Sequence, residues 1–304
     1  DAARALAKVR LDEGGQINHC QVLQQFYAQL RERIMIVRKP GSLALAALAA
    51  LMLPAMAACG QDAPVTEKAK PAAAKESQAA AKPVAFERET EKFTYSYAYP
   101  AEAAAIPALA KLLEEDRVQG LAELESEAEE AEKDAKANDY PYNPHMQGTS
   151  WSTTGNTPPL LAMLGEISSY SGGAHGNTGY EVLLWDKAAG KRLKPEALFT
   201  DMNAALDPMR TLYCDGLKAE RQVRRGEYMS ADPEDMFNVC PPFSDLVIIP
   251  SAVGQDRFDR ILFVAAPYVA GPYAEGVYEI SVPVTRQTIA SIKPEYRAAF
   301  SAAE

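Results

Sequence analysis

Between residues 93 and 99 every second side chain is aromatic, Phe93, Tyr95, Tyr97 and Tyr99, and the positions between them are Thr94, Ser96 and Ala98. A period of two predicts a strand, which Pro100 ends. From 107 to 137 the period changes: Leu109, Leu112, Leu113, Leu121 and Leu124 recur in a stretch rich in Ala, Leu and Glu whose one glycine is Gly120. That pattern predicts a single long helix. After the turn cluster Tyr140-Pro141-Tyr142-Asn143-Pro144, residues 147–154, 160–169 and 180–185 read as three strands with short connections, which predicts an antiparallel meander. Leu198 and Phe199 close a short helical turn, and Asp201 is a suitable N-cap for a helix running to about residue 225. Three more short strands are expected at 246–249, 261–266 and 277–282, and a helical end from 285 in which Pro294 starts a second piece. The expected fold is α+β, with one antiparallel sheet or two adjoining ones and the long N-terminal helix and the second helix packed on one face.

The first 85 residues do not fit that scheme. Met35 is followed by Arg38 and Lys39, an apolar run over 43–56, the small residues Ala57 and Ala58, and then Cys59. Basic, apolar and small residues in that order predict a secretory signal over 35–58. The run is shorter than the roughly 20 residues a bilayer span needs, and Pro54 interrupts it. Met56-Ala57-Ala58-Cys59 resembles the bacterial lipoprotein box, which implies lipidation of Cys59; an ordinary secretory signal with an incidental cysteine is the alternative. Residues 1–34 would then be an upstream extension absent from the mature protein. Residues 59–85, mostly Ala, Lys, Pro, Glu and Gln, cannot bury a core and read as a disordered tether.

Charge narrows the partners. Of 31 Lys+Arg and 41 Asp+Glu, seven and four lie at or before Ala58, which leaves 24 and 37 and a net of −13 beyond it. Nucleic acid is therefore not an expected partner, because phosphate binding needs a basic surface. Between Glu102 and Lys136 the chain carries eleven acids and four bases, to be read as a solvated face of the long helix or as an interaction surface.

Candidate chemistry gathers in two loops. Residues 170–179 hold Tyr170, Gly172, Gly173, His175 and Gly176; residues 268–276 hold Tyr268, Tyr273 and Glu275. Glycine suits a shaped turn or a place where a ligand approaches the backbone. Tyrosine gives large contact area at small entropy cost. The two loops are expected side by side as one recognition surface, with His175 and Glu275 hydrogen-bonded; if they lie apart, each glycine serves its own turn. His175 and Glu275 are also catalytic candidates, against a histidine that merely bonds backbone in a turn. Glu166 with Glu275 is a further carboxylate pair of the kind glycosidases use. No HxxxH, HxxE or GxSxG spacing occurs, so no metal site and no cofactor is expected. Cys214 and Cys240 are expected to form a disulfide, with metal binding as the rival reading.

Tyr170-Ser171-Gly172-Gly173-Ala174-His175-Gly176, the turn 187–191, Pro195 to Phe199, and Tyr273-Ala274-Glu275-Gly276 before Ile280 and Pro283 resemble the extracytoplasmic domains of RsiV-like and PdaC-like envelope proteins. The resemblance implies a deacetylase-accessory-type part over 86–160 and a lysozyme-sensing-type, RsiV-like part over 161–304. Neither a sigma-factor-binding helix followed by a membrane span nor a deacetylase catalytic domain is read here, so those roles are not carried over. The resulting expectation is an envelope lipoprotein, on the periplasmic side of the outer membrane in a Gram-negative cell. It would be a non-catalytic module binding peptidoglycan or a lysozyme-type muramidase; the alternative is a cell-wall glycan hydrolase or deacetylase-type enzyme.

Overall fold

The aromatic strand and the long helix are both present and pack on each other. A computed structural model describes residues 81–226, 232, 235–252 and 256–303, all within one unit, Ala74–Glu304. The expected extension, signal peptide and lipidation site at Cys59, and most of the tether, lie outside the described residues. Strand β2 (Phe93–Tyr99) turns Phe93, Tyr95, Tyr97 and Tyr99 to one side, all buried. Against them lies α2 (Pro107–Ala137), which follows the one-turn α1 (Ala101–Ala104) and starts with proline at its first position, where a missing N–H costs nothing. Leu109, Leu113 and Leu124 of α2 complete this core with Trp151, Leu161, Met163, Leu183 and Trp185. The acidic face of α2 is tied at two points to the chain just before β2, by Arg88–Glu125 at 2.6 Å and Lys92–Glu132 at 3.0 Å.

Six strands form the main sheet in sequence order: β1 (Val84–Glu89), β2, β3 (His145–Asn156), β4 (Leu160–Tyr170), β5 (Asn177–Asp186) and β6 (Lys191–Leu193). Two features differ from the expectation. Strand β1 takes up Val84 and Ala85, which the tether reading had included, and pairs along its whole length with β2. Strands β2 and β3 are parallel, because the chain between them returns through α2, whereas the other pairs in this sheet are antiparallel. The division expected at 160/161 falls inside β4, after its first residue, and β4 is the ladder partner of β3.

Strand β4 opens with a run buried on both faces, Leu160 to Gly165. Its odd-numbered residues join the α2 core, while Leu160, Ala162 and Leu164 join a second core with Ile249, Ile261, Phe263 and Val264. These last belong to a three-stranded antiparallel sheet, β7 (Val247–Ser251), β8 (Arg260–Ala265) and β9 (Tyr278–Pro283). Asp201 caps α3 (Met202–Leu206) by accepting from the Ala204 amide, and α4 (Arg210–Arg225) follows after a 3-10 turn. Tyr213 and Leu217 of α4 are buried in the second core, so the two main helices serve opposite faces of the large sheet rather than one face as expected, because β4 buries alternate residues on both sides. Helix α5 (Arg286–Ser291) and a 3-10 turn at Pro294–Ala299 end the fold. Cys214 and Cys240 are joined by a disulfide, with Cα atoms 5.6 Å apart.

Candidate functional site

Gly172 and Gly173 stand at φ of 101° and 98°, backbone that side-chain-bearing residues rarely adopt, and their succession bends the chain back toward β5. The Tyr170 hydroxyl donates to the Gly173 carbonyl at 3.2 Å and braces the bend. Gly176 has no room for a Cβ, which would meet the Ser169 carbonyl oxygen at 2.9 Å. The loop therefore throws His175 outward, exposed to solvent.

The second loop meets it there. The Tyr273 ring stacks on the His175 imidazole, with centroids 4.0 Å apart and planes 19° apart, and the Tyr268 hydroxyl lies 3.3 Å from His175 Nε2. His175 Nδ1 lies 2.8 Å from the Gly176 carbonyl. A carbonyl only accepts, so Nδ1 carries the proton; in the neutral ring Nε2 then accepts from Tyr268. Tyr268 is 53% exposed and sits at φ 72°, an outlier for a bulky residue. Such backbone costs about 1–3 kcal/mol and persists where the surroundings hold it. The two loops do lie side by side.

The expected His175–Glu275 bond is not what joins them. Glu275 turns away to Arg225, which donates from Nε to Oε1 at 2.7 Å and from Nη2 to Oε2 at 2.9 Å, and Tyr278 donates its hydroxyl to the same carboxylate. Burial pushes the Glu275 carboxyl up, but the hydrogen bonds from Arg225 and Tyr278 and the charges of Arg225 and Arg221 outweigh it, leaving the group below the usual carboxylate range. Two binding candidates thus act as supports: Glu275 anchors its loop, and Tyr170 props the glycine bend.

Three arginines of α4 hold the second loop from below. Arg221, 3% exposed, donates to the carbonyls of Ala270, Asn238 and Val239; Arg224 donates to those of Glu275 and Val277 and lies over the Tyr278 ring; Arg225 adds the Ala270 and Phe237 carbonyls. Sequence reading passed over these residues. A signal was present: Tyr213, Leu217 and Arg221 continue one helical stripe, and a charge on a buried stripe needs partners. Tyr180 leans on the second core, with its hydroxyl 3.5 Å from Glu166. Among the described residues no group of three His, Cys, Asp or Glu side chains is placed to hold a metal ion.

Residues 86–178 match the family model described as deacetylase PdaC. The PdaC-like resemblance is borne out over that segment, which runs from β1 through the glycine bend and is under a third of the chain. The His175 side of the site thus lies in the PdaC-type segment; Tyr268, Tyr273 and the arginines lie beyond it. Two solved structures are similar in fold: a DUF3298 family member from Bacteroides fragilis, at 17% identity and TM-score 0.47, covering 72% of this chain and 97% of that one, and a DUF3298 family protein from Pseudomonas aeruginosa, at 15% and 0.45, covering 73% and 96%. No curated protein matches.

Proposed function

We propose that this chain is a non-catalytic recognition module of the cell envelope, lipid-anchored through Cys59, that binds peptidoglycan or a lysozyme-type muramidase through the surface made by its two loops. The observation that carries this reading is the trio His175, Tyr268 and Tyr273, the first two exposed and the third half-buried, with His175 meeting rings that lie 93 and more positions further along the chain and whose loop α4 holds. Flat rings on a braced loop offer contact area at little ordering cost, which suits recognition.

The same geometry argues against catalysis by the two candidate groups. A general base needs an orienting partner and access to a proton. The partners of His175 are a backbone carbonyl in its own loop and a tyrosine hydroxyl, and among the described residues no carboxylate is hydrogen-bonded to it. Glu275, held in its charged form, has no proton to donate near neutrality, and both its oxygens are engaged.

The test incubates the full chain with purified peptidoglycan and, separately, with a lysozyme, measuring retention together with released reducing sugar and acetate. Retention without turnover, lowered about ten-fold by Tyr273→Ala, is the expected result. Turnover that His175→Ala abolishes would replace this reading with an enzyme. For the anchor, Cys59→Ser should move the protein from the membrane to the soluble fraction; unchanged fractionation removes the lipid claim.

A further inference from the structure

The large sheet has an unpaired edge that opens into an apolar groove. Lys187 donates its amide to the Pro159 carbonyl at 3.0 Å, which fixes the odd-numbered residues of β5 as those whose backbone faces β4. In an antiparallel ladder the backbone of alternate residues points to opposite edges, so Thr178, Tyr180, Val182 and Leu184 face away from β4. Strand β6 takes up only Leu184 to Asp186. From Val182 back to Thr178 the outward edge therefore has no partner strand among the described residues. Beside it lies a groove of about 540 Å³, lined on its apolar side by Val182, Pro195, Met202, Leu206, Phe243 and Val247. Proteins generally blunt such edges with charge, proline or a bulge. Here the outward positions Tyr180 and Val182 carry none of these.

One side chain stands where a ligand would. Arg192 Nη2 donates to the Val182 carbonyl at 2.8 Å and is paired with Glu181. Its guanidinium thus occupies an outward hydrogen-bonding position of β5 while neutralising the carboxylate on the α2 side of the sheet. Glu196, exposed, adds a second carboxylate at the groove.

We infer that the β5 edge is a docking site for an extended peptide in which apolar and basic residues alternate. The peptide adds a strand along Thr178 to Val182, as in other cases of strand addition at a sheet edge. Its apolar side chains enter the groove beside Tyr180 and Val182, and its basic ones fall on the other face beside Glu181. Period two makes one sequence satisfy both faces. Arg192 swings off the Val182 carbonyl as the strand arrives. This site involves none of the three rings of the loop surface and does not rest on the glycan or muramidase reading.

The test titrates the full chain with a fluorescein-labelled hexapeptide of alternating valine and lysine, followed by fluorescence anisotropy and by amide hydrogen exchange. Its valine–glutamate counterpart should bind at least about ten-fold more weakly. Two further versions are N-methylated on alternate residues, one in each register; only the register facing β5 should lose binding. Arg192→Ala should tighten binding several-fold, because it removes a competitor. Val182→Pro removes an outward N–H and leaves the β4 ladder bonded, as proline at a sheet edge does, and it should lose binding. Exchange protection is expected at Thr178, Tyr180 and Val182. No binding at millimolar peptide, equal binding of the lysine and glutamate peptides, equal effects of the two N-methyl registers, or protection confined to other segments would each overturn the inference.

Discussion

Arg225 and Glu275, fifty positions apart, meet in a two-point ion pair with side chains only 8% and 16% exposed. The pair joins the last turn of α4 to the loop that presents Tyr268 and Tyr273, so the shape of the aromatic surface depends on a contact behind it. The hydrogen bonds that Arg225 donates to Glu275, with the charge of that carboxylate, also raise the Arg225 pKa above its ordinary value.

Glu275→Gln should therefore destabilise the protein by about 1–2 kcal/mol at neutral pH, since it leaves Arg225 with a weaker partner at a largely buried site. The folded carboxyl titrates below its unfolded value, so its stabilisation is present above about pH 4 to 5 and is lost as pH falls through the lower, folded value. Urea denaturation across pH should show the wild type and the variant converging on the acid side. A stability gap that does not change down to pH 2 would contradict this assignment.

Reducing Cys214–Cys240, which spans 26 positions, should cost about 3 kcal/mol on the chain-entropy account. The bond also steadies the strand of chain whose Asn238 and Val239 carbonyls accept from Arg221. Denaturation with and without a phosphine reductant measures the difference; coincident curves would mean the cross-link is thermodynamically idle. Thiol labelling of the denatured, unreduced 81–303 region should find neither sulfur free.

Tyr97→Phe should cost about 2 kcal/mol, because it strips an acceptor from a buried donor. Trp151 Nε1 donates to the Tyr97 hydroxyl at 3.1 Å, and that hydroxyl donates to Asp116 at 2.6 Å. Tyr95→Phe is the control: its hydroxyl donates to the Arg117 carbonyl, so the loss should be nearer about 1 kcal/mol. Equal denaturation midpoints for wild type and Tyr97→Phe would show that Trp151 finds another acceptor.

At Tyr268 the left-handed backbone separates two variants that both remove the ring. Tyr268→Gly should be more stable than Tyr268→Ala by about 1 kcal/mol, since glycine takes φ 72° without strain. Both should bind the proposed ligand, peptidoglycan or a lysozyme-type muramidase, less well than the wild type. Thermal denaturation decides the first point, and Ala equal to or above Gly would show that the loop relaxes once the ring is gone.

The helix over 107–137 and the meander were legible because period and length agree there, and the cap at Asp201 was legible because its chemistry is local. Strand β1 was not: Val84 and Phe86 supply only two half-buried positions, and the strand exists because β2 offers it an edge. The parallel β2–β3 pairing follows from a strand, a long helix and a strand in succession, a signal available in the sequence but not used. The loops were brought together by their shared glycine and tyrosine content. The partner of Glu275 was not legible, because an ion pair over fifty residues leaves no local trace, whereas His175 could be paired on paper with any of many acids.

Each strand of the large sheet is hydrogen-bonded to the one before it in sequence. A chain delivered amino end first could therefore lay the sheet down one strand at a time, each new edge templating the next. The exception in timing is β3, which cannot dock on β2 until the 31-residue α2 has formed and turned back. That step closes the longest loop between neighbouring strands of the sheet, and loop closure of this kind tends to set the pace of assembly. Vectorial appearance of the chain would thus favour a short-lived species of hairpin and helix, with the aromatic face of β2 already covered before the meander arrives.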